Sequence, residues 1–256
     1  MIGAIAGDIV GSTFEFQPTK STDFTLFPAE SRFTDDTVLT LATAFSLMTD
    51  GDYAANYRIF GRLYPLAGYG KSFKTWLASD DPQPYGSWGN GSAMRVSPVG
   101  FFLEDEKDVL AEAEKSASVT HNHPEGIKGA QAVALGGWLA RNGADTRTIA
   151  AELSGRFGYD LSRTVEMIRP RYSFDVSCQG SVPEAVTCFL EASDWEQAVR
   201  LAVSLGGDAD TQACIAGGLA QAAFGLPPEP VQAKVRSVLP DHLLAILDDF
   251  QETLAR

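Results

Sequence analysis

The sequence has no apolar run long enough to cross a bilayer as a helix. Its apolar opening, MIGAIAGDIVG, lacks a basic flank and acquires Asp8 early, so it reads as mature structure and not as a targeting leader. Cysteine is scarce. Cys178, Cys188 and Cys214 are odd in number and show no CxxC spacing, which points to reduced, buried thiols and away from a disulfide framework. Positive charge is also short: 20 Lys and Arg against 33 Asp and Glu leave a net charge of −13. That balance argues against a nucleic-acid backbone or an anionic membrane as the main partner. Strand-like alternation, internal repeats, low-complexity tracts and Ser/Gly-rich linkers are all missing. These absences predict a single all-α domain over residues 1–256, soluble, cytoplasmic and monomeric.

The helical pattern is plain along the chain. Residues 2 to 14 read as a helix of small residues in which Gly3, Gly7 and Gly11 recur every fourth position. Each interior glycine costs roughly 1 kcal/mol relative to alanine, so three in one helix signal a close approach by another backbone. Further helices are expected at 35–48, 53–64, 72–78, near Ala93, and at 106–118, 124–141 and 146–157. The remaining helices read as 183–192, 195–204 and 212–224, with two more amphipathic ones after Pro230. Irregular stretches at 16–33, 79–92 and 169–181 are long enough to suggest function. GYGKS at 68–72 looks like the end of a phosphate-binding loop, but Pro65 stands where its first glycine belongs and no strand precedes it.

Two stretches carry unusual acidity. FTDDT (33–37) and GGDADT (206–211) each pair two aspartates with a threonine and have almost no neighbouring cation. Capping needs one acidic residue per helix start. Four carboxylates and two hydroxyls instead suit a pair of hard divalent cations, which prefer oxygen ligands. Glu15 continues the glycine spacing and reads either as a surface carboxylate at a helix end or as a group pointing into the same crowded region. Asn90, Gly91 and Ser92 read either as a surface turn or as helix-start amides open to an anion, with Arg95 adding a fork suited to phosphate. His121 and His123, two apart, invite a zinc reading, but the cysteines are not spaced to complete such a site. A histidine donating to substrate is the competing reading, and His242 fits a packing role on the last helix.

In order, GAIAGDIVGSTFEF, FTDDT, WGNGSAMRVSPVG, THNHPEG, SCQGSVPEAV and SLGGDADTQACIAG resemble the ADP-ribosylglycohydrolase family along nearly the whole chain. The resemblance implies a compact all-α bundle with a central cleft for two Mg²⁺ or Mn²⁺ ions. It assigns the metal ligands to Thr34, Asp35, Asp36, Asp208, Asp210 and Thr211, and a glutamate close to metals and scissile ribose to Glu15. It implies an ADP-ribose pocket lined by Asn90, Gly91, Ser92 and Met94, with His123 as the histidine contacting substrate. A further aspartate of the family falls on Asp80 or Asp81. The implied reaction breaks the glycosidic bond at ribose C1″ through an oxocarbenium-like transition state. Glu15 or a metal-bound aspartate, Asp36 or Asp208, would act as general base. A two-metal nucleotide phosphoesterase or pyrophosphatase and a non-catalytic, crystallin-like ADP-ribose binder are the alternatives. Tyr172 and Phe174 are the candidates for stacking on a ligand ring.

Overall fold

The computed structural model describes residues 1–49 and 51–255. Fifteen helices follow one another without a strand among the described residues: α1 Ile2–Gly11, α2 Asp35–Met48, α3 Tyr53–Leu63, α4 Lys71–Ala78, α5 Gly91–Met94, α6 Ser97–Phe102, α7 Glu106–Ser118 and α8 Pro124–Arg141. The second half contributes α9 Thr146–Phe157, α10 Val165–Ile168, α11 Cys178–Leu190, α12 Trp195–Val203, α13 Ala209–Phe224, α14 Glu229–Val238 and α15 Asp241–Leu254. No helix among the described residues is long and apolar enough to span a membrane.

Side-chain caps set most of the starts. Asp52, Asp105, Asp145 and Asp194 each accept from a backbone N–H in the first turn of the helix that follows. Gly158 closes α9 in the left-handed region at φ 69°, where an L side chain would be strained.

The organising contact is the antiparallel pair α1 and α13, both without an exposed face over most of their length. A methyl on Gly3 would stand 2.6 Å from the Gly217 carbonyl, and one on Gly7 would overlap the Ala213 carbonyl. One on Gly11 would overlap Ala209 and Asp210. The four-residue glycine spacing therefore buys backbone-to-backbone contact along the whole helix. It also fixes register, because the C-terminal end of α1 must meet the N-terminal end of α13.

Three boundaries differ from the periodicity. α1 stops at Gly11, because the Ser12 hydroxyl donates to Ile9 O at 2.9 Å and accepts from Arg32 N at 3.1 Å, drawing the chain out of the helical ladder. Phe14 and Glu15 still bond back to Gly11 O, so Glu15 rides on a tight turn. α11 begins at Cys178 under a Ser177 cap, five residues before the start that Pro183 suggests, and carries that proline inside the helix. α13 begins at Ala209, so the GGDADT aspartates form its cap and first turn. The short helices α6 and α10 lack enough turns to leave a periodic signal.

Candidate active site

Where α1 ends, α2 and α13 begin. Their termini surround a cleft of about 460 Å³ whose lining includes Glu15, Thr34, Asp35, Asp36, Asp208, Asp210 and Thr211. Carboxylate oxygens of Glu15, Asp208 and Asp210 lie within 4.8 Å of one another. The two acidic stretches and the glutamate, far apart in sequence, are thus one constellation.

Each group is held by a specific bond. Thr34 caps α2 by accepting from Asp36 N at 3.2 Å. Its hydroxyl donates to Asp8 Oδ1 at 2.6 Å, and its N–H donates to Asp8 Oδ2 at 2.9 Å. Asp8 also accepts from Thr37 N at 3.1 Å and from the Thr37 hydroxyl. This fully buried carboxylate on α1, which is not among the expected site residues, ties α1 to the first turn of α2. Its signal is one carboxylate on an otherwise apolar helix with no cation at helical spacing. Asp208 stands at the N-cap of α13 but makes no capping bond. It accepts instead from Asn90 Nδ2 at 2.7 Å, while the same amide nitrogen reaches Ser181 Oγ at 3.1 Å. Asp210 Oδ1 accepts from Thr211 N at 2.9 Å, and the Thr211 hydroxyl donates to Asp36 Oδ1 at 3.4 Å. Gly68, at φ 118°, leaves space beside Asp35 Oδ1 that a Cβ would take.

The electrostatics are those of an uncompensated acidic cluster. Burial, then Asp210 and Asp8, push Asp35 and Asp36 well above the usual carboxylate range, and burial with Asp208 does the same to Asp210. Burial raises Asp208 to about 6, against the bonds from its partners. Glu15 is pushed up to about 7 by burial and Asp210, with Arg32 at the rim opposing. Asp36 Oδ2 is buried without a hydrogen-bond partner. An orphaned buried carboxylate oxygen beside hydroxyl and carboxylate donors is the environment a hard cation relieves, so these residues fit a metal.

The other expected residues divide. Asn90, Gly91 and Met94 line the cleft. Ser92 turns away, its hydroxyl donating to Gly126 O at 2.7 Å in the core. His123 is not on the cleft: its Nδ1 accepts from Glu125 N at 3.1 Å and caps α8. His121 is the histidine that faces the cleft, buried, with Nε2 near Gly91. Arg95 borders the cleft, but its guanidinium is committed to the interior. It is fully buried, stacks 4.2 Å from the Tyr57 ring, and donates from Nη2 to Ser116 O and Thr120 Oγ1. Neither Asp80 nor Asp81 borders the cleft. Tyr172 is occupied, its hydroxyl donating to Gly180 O at 2.7 Å and its ring packed under Gly207, whereas Phe174 lines the cleft and is 54% exposed.

A family model described as ADP-ribosylglycohydrolase matches residues 1–255. The chain belongs to the ADP-ribosylglycohydrolase family. Among its relatives, the ADP-ribosylarginine hydrolase Tri1 of Pseudomonas putida (strain GB-1) is 29% identical, over 91% of this chain and 72% of its own. The ADP-ribosylhydrolase ARH3 of Mus musculus is 27% identical, over 90% of this chain and 84% of its own. A solved structure described as an ADP-ribosylglycohydrolase-related protein complex superposes with a TM-score of 0.66 at 28% identity, covering 99% of this chain and 94% of that one. The all-α architecture of this family member is therefore shared with a solved relative.

Proposed function

We propose that this ADP-ribosylglycohydrolase family member is a divalent-cation-dependent hydrolase that releases ADP-ribose from an ADP-ribosylated acceptor by cleaving the bond at ribose C1″. The observation that carries the reading is the convergence of Glu15, Asp208 and Asp210 with the first turn of α2, where Asp36 keeps a buried oxygen without a partner. The relatives' names, an ADP-ribosylarginine hydrolase and an ADP-ribosylhydrolase, support the same substrate class.

Thr34, Asp35, Asp36, Asp208, Asp210 and Thr211 would hold two Mg²⁺ or Mn²⁺ ions. Bound there, such ions supply Lewis-acid polarisation and lower the pKa of coordinated water. The chain's own residues do the rest. Glu15, partly buried and drawn up to about 7 in the protein alone, is suited to take a proton from the water that attacks C1″. Asp208 is oriented for its part by the Asn90 amide. Asn90, Gly91, Met94 and His121 line the side of the cleft suited to the phosphorylated part of the ligand.

The test is a panel of defined ADP-ribosylated compounds, arginine, serine, O-acetyl and nucleobase-linked, assayed with and without Mg²⁺ and Mn²⁺. Cation-dependent release of intact ADP-ribose is expected. Release of AMP instead would assign the cleft to a pyrophosphatase, and ADP-ribose binding without turnover to a non-catalytic binder. Asp208→Ala should lower turnover by about three orders of magnitude, given the several kcal/mol that metal ions supply, with an unchanged helical circular-dichroism spectrum.

A further inference from the structure

Around the mouth of the cleft stands a collar of exposed side chains that the proposed reaction does not use. Among the exposed residues lining the cleft, the charged ones are Arg32 and Lys71, both cations. The apolar ones are Phe16, Phe174 and Val176, which keep 70%, 54% and 46% of their surface exposed. The carboxylates that line the cleft are Glu15, Asp35, Asp36, Asp208 and Asp210. All five belong to the acidic constellation, and none of them is exposed.

Both cations are fixed by their backbones and free at their tips. The Arg32 N–H donates to Ser12 Oγ at 3.1 Å, beside the turn that carries Glu15. Lys71 opens α4 directly after Gly70. Most arginines of this chain are spent on carbonyls or carboxylates, as Arg62 is on Leu77 O at 2.7 Å. The Arg32 and Lys71 side chains make no hydrogen bond, ion pair or ring contact among the described residues. Val176 is held in the collar by its carbonyl, which accepts from Asn90 N at 2.7 Å.

Resting on the proposed function, whatever is attached at ribose C1″ must pass this collar. We propose that the mouth docks an acidic polypeptide segment bearing the ADP-ribose. Arg32 and Lys71 pair with its carboxylates, and Phe16, Phe174 and Val176 pack on its apolar side chains. A basic segment would meet two cations and no carboxylate outside the constellation. The net charge of −13 favours the opposite choice. At 0.1 M salt, however, the screening length is about 10 Å, so contacts at the rim outweigh distant charge. A nucleic-acid acceptor fits less well, because two cations neutralise few phosphates.

The test holds the linkage constant and varies the flanks. Two peptides carry ADP-ribose through the linkage that the compound panel shows to be cleaved, with flanking positions all Asp or all Lys. Wild-type kcat/KM should favour the acidic peptide about tenfold at about 50 mM salt, given up to about fivefold for each exposed pair. The preference should shrink at about 0.5 M salt. Both cations are exposed, so the double variant Arg32→Glu/Lys71→Glu should keep the wild-type circular-dichroism spectrum and reverse the preference. Equal rates on the two peptides, or a preference unmoved by the double charge reversal, overturn the proposal. So does an ADP-ribosylated oligonucleotide cleaved faster than either peptide, or a peptide-free ADP-ribosyl compound cleaved as fast as the acidic one. If no linkage is cleaved, the proposed hydrolysis fails. Calorimetric titration of the serine-linked pair into wild type with Mg²⁺ then decides the mouth: tighter acidic binding sustains it, and equal or absent binding overturns it.

Discussion

The α1–α13 pair has two ends of opposite character. From Gly3 to Gly7 the helices meet backbone to backbone, dry and apolar, with Gly217 and Ala213 against the glycines. A turn further on, at Gly11, the two helices are still in contact but both reach their ends, among carboxylates whose pKa values are raised by burial and by one another. The first end is favourable through close packing, and the second gathers buried carboxylates with little opposing charge. The difference teaches that a rigid seam can hold like charges in place against their repulsion, which is the strain that the proposed cations would relieve.

The most damaging way to break that comparison is Gly7→Val. Its branched side chain would overlap the Ala213 carbonyl, and overpacking of this kind costs about 3 kcal/mol or more. We expect the melting temperature to fall by about 6–12 °C in a domain of this size, read by circular dichroism. A melting temperature within about 2 °C of wild type would show that the seam is not tight.

Next in size is the loss of cation stabilisation in Asp36→Asn. The wild type should gain about 2.7 kcal/mol at a cation concentration 100 times the dissociation constant. The variant should gain almost nothing, yet its metal-free stability should stay within about 1 kcal/mol of wild type. Burial, Asp210 and Asp8 hold Asp36 well above the usual carboxylate range, so an uncharged amide relieves the same unfavourable burial and repulsion.

A pH series on metal-free protein sharpens the other end of the seam. The cleft carboxylates have raised folded-state pKa values, so their contribution is fully present below the ordinary range and is lost as pH rises through the folded values. For Asp208 and Glu15 that window runs from about 4 to about 7. Asp208, raised to about 6, accounts for on the order of 3 kcal/mol. Metal-free protein should therefore melt lower at pH 8 than at pH 5, and added Mg²⁺ or Mn²⁺ should raise the melting temperature more at pH 8. An equal rise at both values would remove the cluster from the cation site.

The smallest effect should come from Lys20→Met. Its ammonium donates to the carbonyls of Tyr172 and Leu205, tying two of the long loops to the start of the GGDADT segment. It is partly exposed, so the stability loss should be below about 1 kcal/mol. The expected signature is a changed KM with little change in kcat.

Much of this comparison is legible in the sequence, because it depends on spacing. Glycines at 3, 7 and 11 announce the seam, and paired aspartates at two helix starts announce the cluster. What escapes is direction. Ser92, His123 and Tyr172 have suitable chemistry but spend their polar atoms on Gly126 O, Glu125 N and Gly180 O. His121, Phe174 and Asp8 take the places that matter. Hydrogen bonds between segments decide these choices, and no periodicity encodes them.

The seam also has a consequence for synthesis. The Gly3 N–H meets Gln221 Oε1 across 218 positions of sequence. During synthesis, the glycine face of α1 stays unburied until α13 has left the ribosome. The central contact of the fold is therefore among its least local ones, which slows folding relative to what the helical content alone implies.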